Sequence, residues 1–166
     1  MPTLISTLVF LQVIGAGVGV VNSVWSELAY IRALKDGKID IAERLHLDHI
    51  ARGLRFGLTV LLLASLGLVI VAYIIHATVQ PALTPSYWVL ITIALTIIAV
   101  ALALSRRRIS FTLGSAMVFS GWWFLIFLTL GQIPALTFGA AVALYVVATG
   151  ILYGVLHYTR MFATSK

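Results

Sequence analysis

Five long apolar stretches dominate this chain and limit what it can fold into. They run over residues 4–24, 54–75, 87–104, 109–130 and 135–156. Each has roughly the 17–25 residues that a helix needs to cross the hydrocarbon core of a bilayer. Because lipid offers no hydrogen bonds, a crossing backbone must satisfy its own polar groups, and a helix does so within one segment. The sequence therefore predicts an all-α, polytopic membrane helix bundle with about five transmembrane helices.

The composition supports one membrane domain and no separate soluble domain. The 166 residues are 61% hydrophobic and 10% charged, whereas soluble domains are about half apolar and a quarter charged. We therefore treat residues 1–166 as a single membrane domain. The net charge of +6 is interpreted as a topology signal and not as a sign of nucleic-acid binding. The absence of cysteine excludes disulfides, thiolate metal sites and cysteine nucleophiles.

The 11 lysines and arginines fall in three segments of the chain. The first segment joins spans one and two, the second joins spans three and four, and the third follows span five. Their members are Arg32, Lys35, Lys38, Arg44, Arg52 and Arg55, then Arg106, Arg107 and Arg108, then Arg160 and Lys166. Five spans place all three segments on one side, and cytoplasmic loops carry the excess of cations. We expect a multi-pass protein of the cytoplasmic membrane, with its amino terminus outside and its carboxyl terminus inside.

Residues 39–53 form a short polar segment before the second span. Charged residues recur there at a spacing of three to four: Arg44, Asp48, Arg52 and Arg55. A less polar stripe consists of Ile39, Ala42, Leu45 and His49. This pattern predicts an amphipathic helix that lies at the cytoplasmic interface and runs into the second span.

Two histidines stand beside glycines at helical spacing. They are His49 with Gly53 and Gly57, and His157 with Gly150 and Gly154. The two helices run antiparallel, so both histidines are expected near the cytoplasmic interface. A haem held between helices needs an imidazole from each side and small neighbours along its flat macrocycle. The pattern predicts haem b, with His49 and His157 as iron ligands and the glycines lining the site. Ordinary helix packing through the glycines is the alternative.

Charged residues near the same interface have two interpretations. Arg52, Arg55 and Arg160 are placed to neutralise haem propionates or to form ion pairs. Glu27 lies near the inner end of the first span, where a carboxylate is costly unless it is paired or reaches water. We expect Glu27 to pair with Arg52 or Arg55, which enter the second span at a similar depth. Snorkelling of the Glu27 side chain to the interface is one alternative, and a proton-transfer role is another.

Three other features concern helix faces. Small and polar residues share one face of the first span, namely Gln12, Gly15, Gly19, Asn22 and Ser26. That face is suited to close packing with cross-helix hydrogen bonds, or to lining a cavity. Trp122 and Trp123, in mid-span, are expected to pack on another helix or on a cofactor. The third span is apolar nearly all round and is expected to be the most exposed to lipid.

The first half of the chain resembles the group of small membrane proteins that includes the membrane protoporphyrinogen oxidases of the haem pathway and the copper-resistance D family. The residues that carry the resemblance are Trp25-Ser26-Glu27-Leu28-Ala29-Tyr30-Ile31-Arg32, then Arg52-Gly53 and Gly67. The resemblance implies a multi-span helical fold and a tetrapyrrole ligand. The oxidases carry a histidine in helix one, where this chain has only Gln12 among long polar side chains. No catalytic residue is therefore transferred to this chain.

The leading functional hypothesis is a small membrane protein that binds haem or a related tetrapyrrole near the cytoplasmic face, in electron transfer or haem handling. An oligomeric small-solute transporter or channel is one alternative, and a non-catalytic assembly subunit of a membrane complex is another. Transport predicts charges within the membrane, and the sequence shows almost none. The expected partners are the bilayer and either further copies of the chain or other membrane subunits.

The predicted topology can be measured with reporter fusions. Reporters fused at Asp36, at Arg107 and at the carboxyl terminus should read as cytoplasmic, because each lies in or next to a basic segment. A reporter at Ala82, in a loop without lysine or arginine, should read as external. An external reading at the carboxyl terminus would contradict an odd number of spans.

Overall fold

The computed structural model describes residues 2–35, 39–134 and 136–164, and its described part is helical with no strand. The α-helices are α1 Pro2–Lys35, α2 Ile39–Gly53, α3 Thr59–Ile74, α4 Pro85–Ser105, α5 Phe111–Thr129 and α6 Phe138–Thr164. A π-helical turn, Leu54–Leu58, joins α2 to α3 without a break. A 3-10 turn, Pro81–Leu83, precedes α4.

Five helical stretches of the described chain are long and apolar enough to cross a membrane. They are Thr3–Arg32, Arg44–Ile74, Pro85–Ser105, Phe111–Thr129 and Phe138–Phe162. The predicted fold class, an all-α bundle with five membrane-spanning helices, is confirmed. The protein is accordingly a multi-pass membrane protein. The observed α2 has the range predicted for the amphipathic segment, and α1 continues to Lys35, well past the predicted end of the first span.

Three helices end in the same backbone motif. After α3, α4 and α5, the chain takes a positive φ at His76, Arg107 and Gly131, with values of 50°, 53° and 67°. In each case the next N–H group bonds to the carbonyl five residues earlier, as from Arg108 to Ala103. This motif satisfies carbonyls that the helix end would leave without partners. His76 is therefore part of a helix terminus.

The first helix contacts α2, α3, α5 and α6, and its glycines permit this close packing. A Cβ atom on Gly15 would lie 2.7 Å from the Gly57 carbonyl oxygen. A Cβ atom on Gly19 would lie 1.9 Å from the ring of Trp122, which is itself 1% exposed. The indole of Trp122 thus fills the space that Gly19 leaves open. Gln12 Nε2 donates a hydrogen bond of 2.7 Å to Ser65 Oγ of α3. Such a cross-helix bond is what the small and polar residues of the first span predict.

The buried helix faces differ from the sequence pattern at two places. On α2, His46 and Ile50 are buried while Leu45 is exposed, so the face that packs on the bundle is not the less polar stripe; the side chains of Ile39 and Ala42 lie outside the described ones. The expectation for the third span is wrong. The third span, α4, buries a larger share of its apolar window than α1 or α6. The reason is that aliphatic side chains suit a helix contact and lipid equally well. Apolar composition alone therefore does not reveal which face is buried.

Candidate functional site

Charged and polar side chains from four helices meet inside the bundle, at the end that carries the basic segments. They are Glu27 of α1, His46 of α2, Ser115 of α5 and Arg160 of α6. All four are buried, with exposed fractions of 4%, 1%, 1% and 6%. We call these four residues the polar cluster.

The ion pair between Glu27 and Arg160 forms the middle of the polar cluster. Arg160 Nη2 donates to Glu27 Oε1 at 2.8 Å and to Glu27 Oε2 at 2.7 Å. The same nitrogen lies 2.8 Å from Ser115 Oγ, to which it also donates. Both carboxylate oxygens and the serine hydroxyl therefore face one guanidinium nitrogen. Such charge-assisted bonds are stronger than neutral ones, and here they connect three helices.

Aromatic rings enclose the charged groups. The Arg160 guanidinium carbon lies 5.0 Å from the centre of the Tyr30 ring and 5.9 Å from that of Phe111. The two rings are 4.7 Å apart. Ring faces attract a cation, so Tyr30 and Phe111 partly replace the water that Arg160 loses on burial.

His46 completes the polar cluster from the side of α2. Its Nε2 atom lies 3.7 Å from Glu27 Oε1, and its ring meets Phe111 edge-on at 4.8 Å. The other ring nitrogen, Nδ1, is buried and has no hydrogen-bond partner among the described residues. A buried polar atom without a partner is costly. An imidazole so close to a carboxylate can exchange a proton with it.

Helical periodicity in α1 places Glu27 in this position. The buried residues in its second half are Gly19, Ser23, Ser26, Glu27 and Tyr30, which recur at intervals of three to four. They form one stripe that begins at the Trp122 contact and ends at the polar cluster. Glu27 is directed into the bundle because it lies on this stripe.

The expected pairing of Glu27 with Arg52 or Arg55 is wrong. Both arginines are exposed, and Arg52 donates to the Asp48 carbonyl of its own helix at 3.4 Å. Helical geometry gives the reason, since His46, Ile50 and Gly53 occupy the buried face of α2. The two arginines therefore point away from α1. Arg160, which the sequence placed only near the interface, is the partner.

The haem residues predicted on the second span contact their own helix and α1. His49 is half-buried, and its Nδ1 lies 2.7 Å from the Leu45 carbonyl oxygen. A Cβ atom on Gly53 would lie 3.2 Å from Asn22 of α1. A Cβ atom on Gly57 would lie 2.7 Å from the Gly15 carbonyl oxygen. The α1 helix thus occupies the space beside both glycines.

The predicted haem residues on α6 face outward. His157, Gly150 and Gly154 are exposed, and nothing lies within 4 Å of a Cβ atom built on either glycine. The His157 ring stacks on Tyr153 of the same helix, with a centroid distance of 6.1 Å. The two predicted ligands point away from the helix contacts that His46 and Arg160 make. Among the contacts of the described residues, none joins His49 to His157.

Sequence reasoning missed His46 and Ser115 as members of a site. Within the described part of the chain, no three histidine, aspartate or glutamate residues are grouped as metal ligands. The useful signal was Glu27 itself, a lone carboxylate on the small and polar face of α1, because such a group requires a buried cation nearby.

Comparison with known proteins assigns neither a family nor a function to the chain. No protein-family model matches the chain, and no curated protein or solved structure shows significant similarity to it.

A double-mutant cycle should detect the Glu27–Arg160 pair. Glu27→Gln removes the carboxylate that the buried guanidinium contacts, and we expect it to lower the free energy of unfolding by about 3–5 kcal/mol. Arg160→Gln should cost a similar amount, for the converse reason. The double variant should be clearly more stable than the sum of the two losses predicts. The measurement is reversible unfolding in detergent micelles.

The matched control is the cycle between Glu27→Gln and Arg52→Gln. Arg52 is exposed, so these two effects should add within about 0.5 kcal/mol. Strict additivity of Glu27→Gln with Arg160→Gln would contradict the pairing.

Proposed function

We propose that this protein is a small proton-transport protein of the cytoplasmic membrane, with the polar cluster as its proton-binding centre. The proposal includes the orientation expected from the cations, in which the cluster faces the cytoplasm. The observation that carries it is the burial of a carboxylate, a guanidinium and an imidazole in one contact between four helices. Charges inside the membrane are the feature expected of a transport protein.

Stability alone is a weak explanation for these charges. Replacing a buried ion pair with apolar side chains is often neutral or stabilising. Ionisable residues within membrane spans typically mark ion pathways and proton relays. A chain that is 61% hydrophobic has many apolar ways to join its first and last helices. The retention of Glu27 and Arg160 at this position therefore favours a functional role.

The geometry supports a path for the proton. His46 Nε2 lies 3.7 Å from Glu27 Oε1, so a small shift of either side chain brings them into hydrogen-bond contact. A proton that reaches the imidazole can then pass to the carboxylate. An imidazole is suited to this step because one ring nitrogen can accept a proton while the other releases one.

Proton arrival at Glu27 changes the contact between helices. A protonated Glu27 no longer offers Arg160 a carboxylate, and removing one partner of a buried charge pair is strongly unfavourable. The favoured response is a separation of α6 from α1 that admits water to the guanidinium. Loss of the proton restores the ion pair. The polar cluster thus couples protonation to the position of α6, which is the coupling that proton-driven transport requires.

Proton binding and proton movement can be measured separately. In membranes, the pH-induced infrared difference spectrum should contain a carboxylic-acid band that Glu27→Gln removes. Liposomes with a trapped pH-sensitive dye should lose an imposed pH gradient faster with the protein than without it. Glu27→Gln should abolish this difference, and His46→Gln should slow the flux by about tenfold or more. His49→Gln and His76→Gln are the matched controls and should behave as the wild type. Flux equal to that of protein-free liposomes would overturn the transport function.

A second candidate function, tetrapyrrole binding, is supported by the outward face of α6. His157 shares this face with Gly150 and Gly154, where a flat ligand meets no side chain within 4 Å of the glycine Cβ positions. An imidazole beside two open glycines is compatible with one axial ligand and a macrocycle that lies along the helix. In this form of the hypothesis His157 is the ligand from this chain, and His49 is not required.

The haem hypothesis is tested by visible absorption spectroscopy. Protein purified from cells supplied with a haem precursor should show a reduced-minus-oxidised difference spectrum, and His157→Ala should remove or shift its bands. His49→Ala and His76→Ala should leave the spectrum unchanged, because neither histidine lies on the α6 face. Loss of the bands on His49→Ala alone would instead support the pairing expected from the sequence, and colourless wild-type protein would contradict both.

A further inference from the structure

An apolar groove runs between α5 and α6 on the outside of the bundle. It has a volume of about 290 Å³ and is lined from α5 by Leu113 and Met117. The lining from α6 includes Val146, Gly150 and Tyr153. Small-molecule sites are typically about 300–1,000 Å³, so the groove is large enough for part of one acyl chain. Gly150 deepens it, because that residue has no side chain.

The polar atoms of the lining residues are already engaged. Thr149 Oγ1 lies 2.7 Å from Ser120 Oγ and donates to the Tyr145 carbonyl oxygen at 2.8 Å. Tyr145 Oη donates to the Met117 carbonyl oxygen at 3.0 Å. The surface that the groove presents is therefore hydrocarbon. Such a surface suits a lipid chain and offers nothing to a polar solute.

Cations lie next to one end of the groove. Leu113 and Met117 belong to the first two turns of α5, and the turn before α5 contains Arg106, Arg107 and Arg108, all exposed. On the α6 side, Tyr153 stacks on His157 at 6.1 Å. The groove thus runs from a cationic turn at the membrane surface into the hydrocarbon region. This arrangement complements a molecule with an anionic head and an apolar tail.

We propose that the groove between α5 and α6 binds an anionic phospholipid. One acyl chain lies over Gly150 between Met117 and Tyr153, and the phosphate is held by the arginines of the turn before α5. The proposal does not depend on proton transport. It concerns the outer surface of α5 and α6, whereas the polar cluster lies on their buried faces. Lipid bound there would brace α6, the helix that carries Arg160.

Native mass spectrometry of the protein released from nanodiscs tests the proposal. The nanodiscs contain equal parts of phosphatidylcholine and phosphatidylglycerol. The wild type should retain phosphatidylglycerol in preference to phosphatidylcholine. Gly150→Leu fills the groove and should lower retention of both lipids by about tenfold or more, since a leucine side chain replaces the acyl chain. Gly154→Leu is the matched control, because Gly154 is equally open but does not line the groove.

The contribution of the arginines is tested with a second pair of variants. Removing the three cations of the turn (R106Q, R107Q and R108Q) should abolish the preference for phosphatidylglycerol while leaving lipid in the groove, because each such cation favours an anionic head group. Removing three exposed cations elsewhere (R44Q, R52Q and R55Q) lowers the net charge equally and should preserve the preference. Soluble glycerol phosphate should leave the melting temperature of the wild type unchanged.

Three results would overturn the proposal. They are equal lipid retention by Gly150→Leu and Gly154→Leu, equal effects of the two triple variants, or release of the wild type as a dimer without lipid. The last result would mean that a second copy of the chain covers the groove. Lipid retention is read without any proton flux, so failure of this proposal and failure of the transport function are distinguishable.

Discussion

The ion pair between Glu27 and Arg160 connects the first and last helices of the chain, across 133 residues of sequence. A carboxylate and a guanidinium that are this deeply buried must stay together, since either one alone would be an uncompensated charge away from water. The pair therefore fixes the rotation of α6 about its own axis and its position along α1. Ser115 and His46 hold α5 and α2 to the same point. Four helices thus meet at one electrostatic contact.

Close packing of α1 makes that contact possible. With glycine at positions 15 and 19, the backbone of the second span and the ring of Trp122 approach α1 directly. In lipid, helices gain no hydrophobic advantage from association, so van der Waals contact and interhelical hydrogen bonds must hold them. The glycine contacts supply the van der Waals contact, and Gln12 and Arg160 supply the interhelical hydrogen bonds. The buried stripe of α1 contains both the glycines that pack against other helices and, nearer its carboxyl end, Glu27.

The buried and exposed faces of α6 have different chemistry. The buried stripe contains Ala141, Tyr145, Thr149, Leu156 and Arg160 and makes specific polar contacts with α1 and α5. The outward face contains glycines with open space beside them, aromatic rings and His157. In our proposals, protonation of Glu27 changes the position of α6 through its buried stripe, and lipid binds separately on its outer surface.

The sequence by itself determined the fold class, the approximate positions of the five spans and the range of α2, because lipid exposure and helical hydrogen bonding dictate long apolar runs. It also indicated that Glu27 needs a partner, since a lone carboxylate in a span is costly. Only the tertiary structure decided that this partner is Arg160 and that His46, not His49, faces the bundle. It also placed the glycines of the second span against α1 and those of α6 on the outside. The physical reason is that apolar side chains suit lipid and helix contacts equally, so helix rotation is set by a few close-packed glycines and buried charges whose partners are distant in sequence.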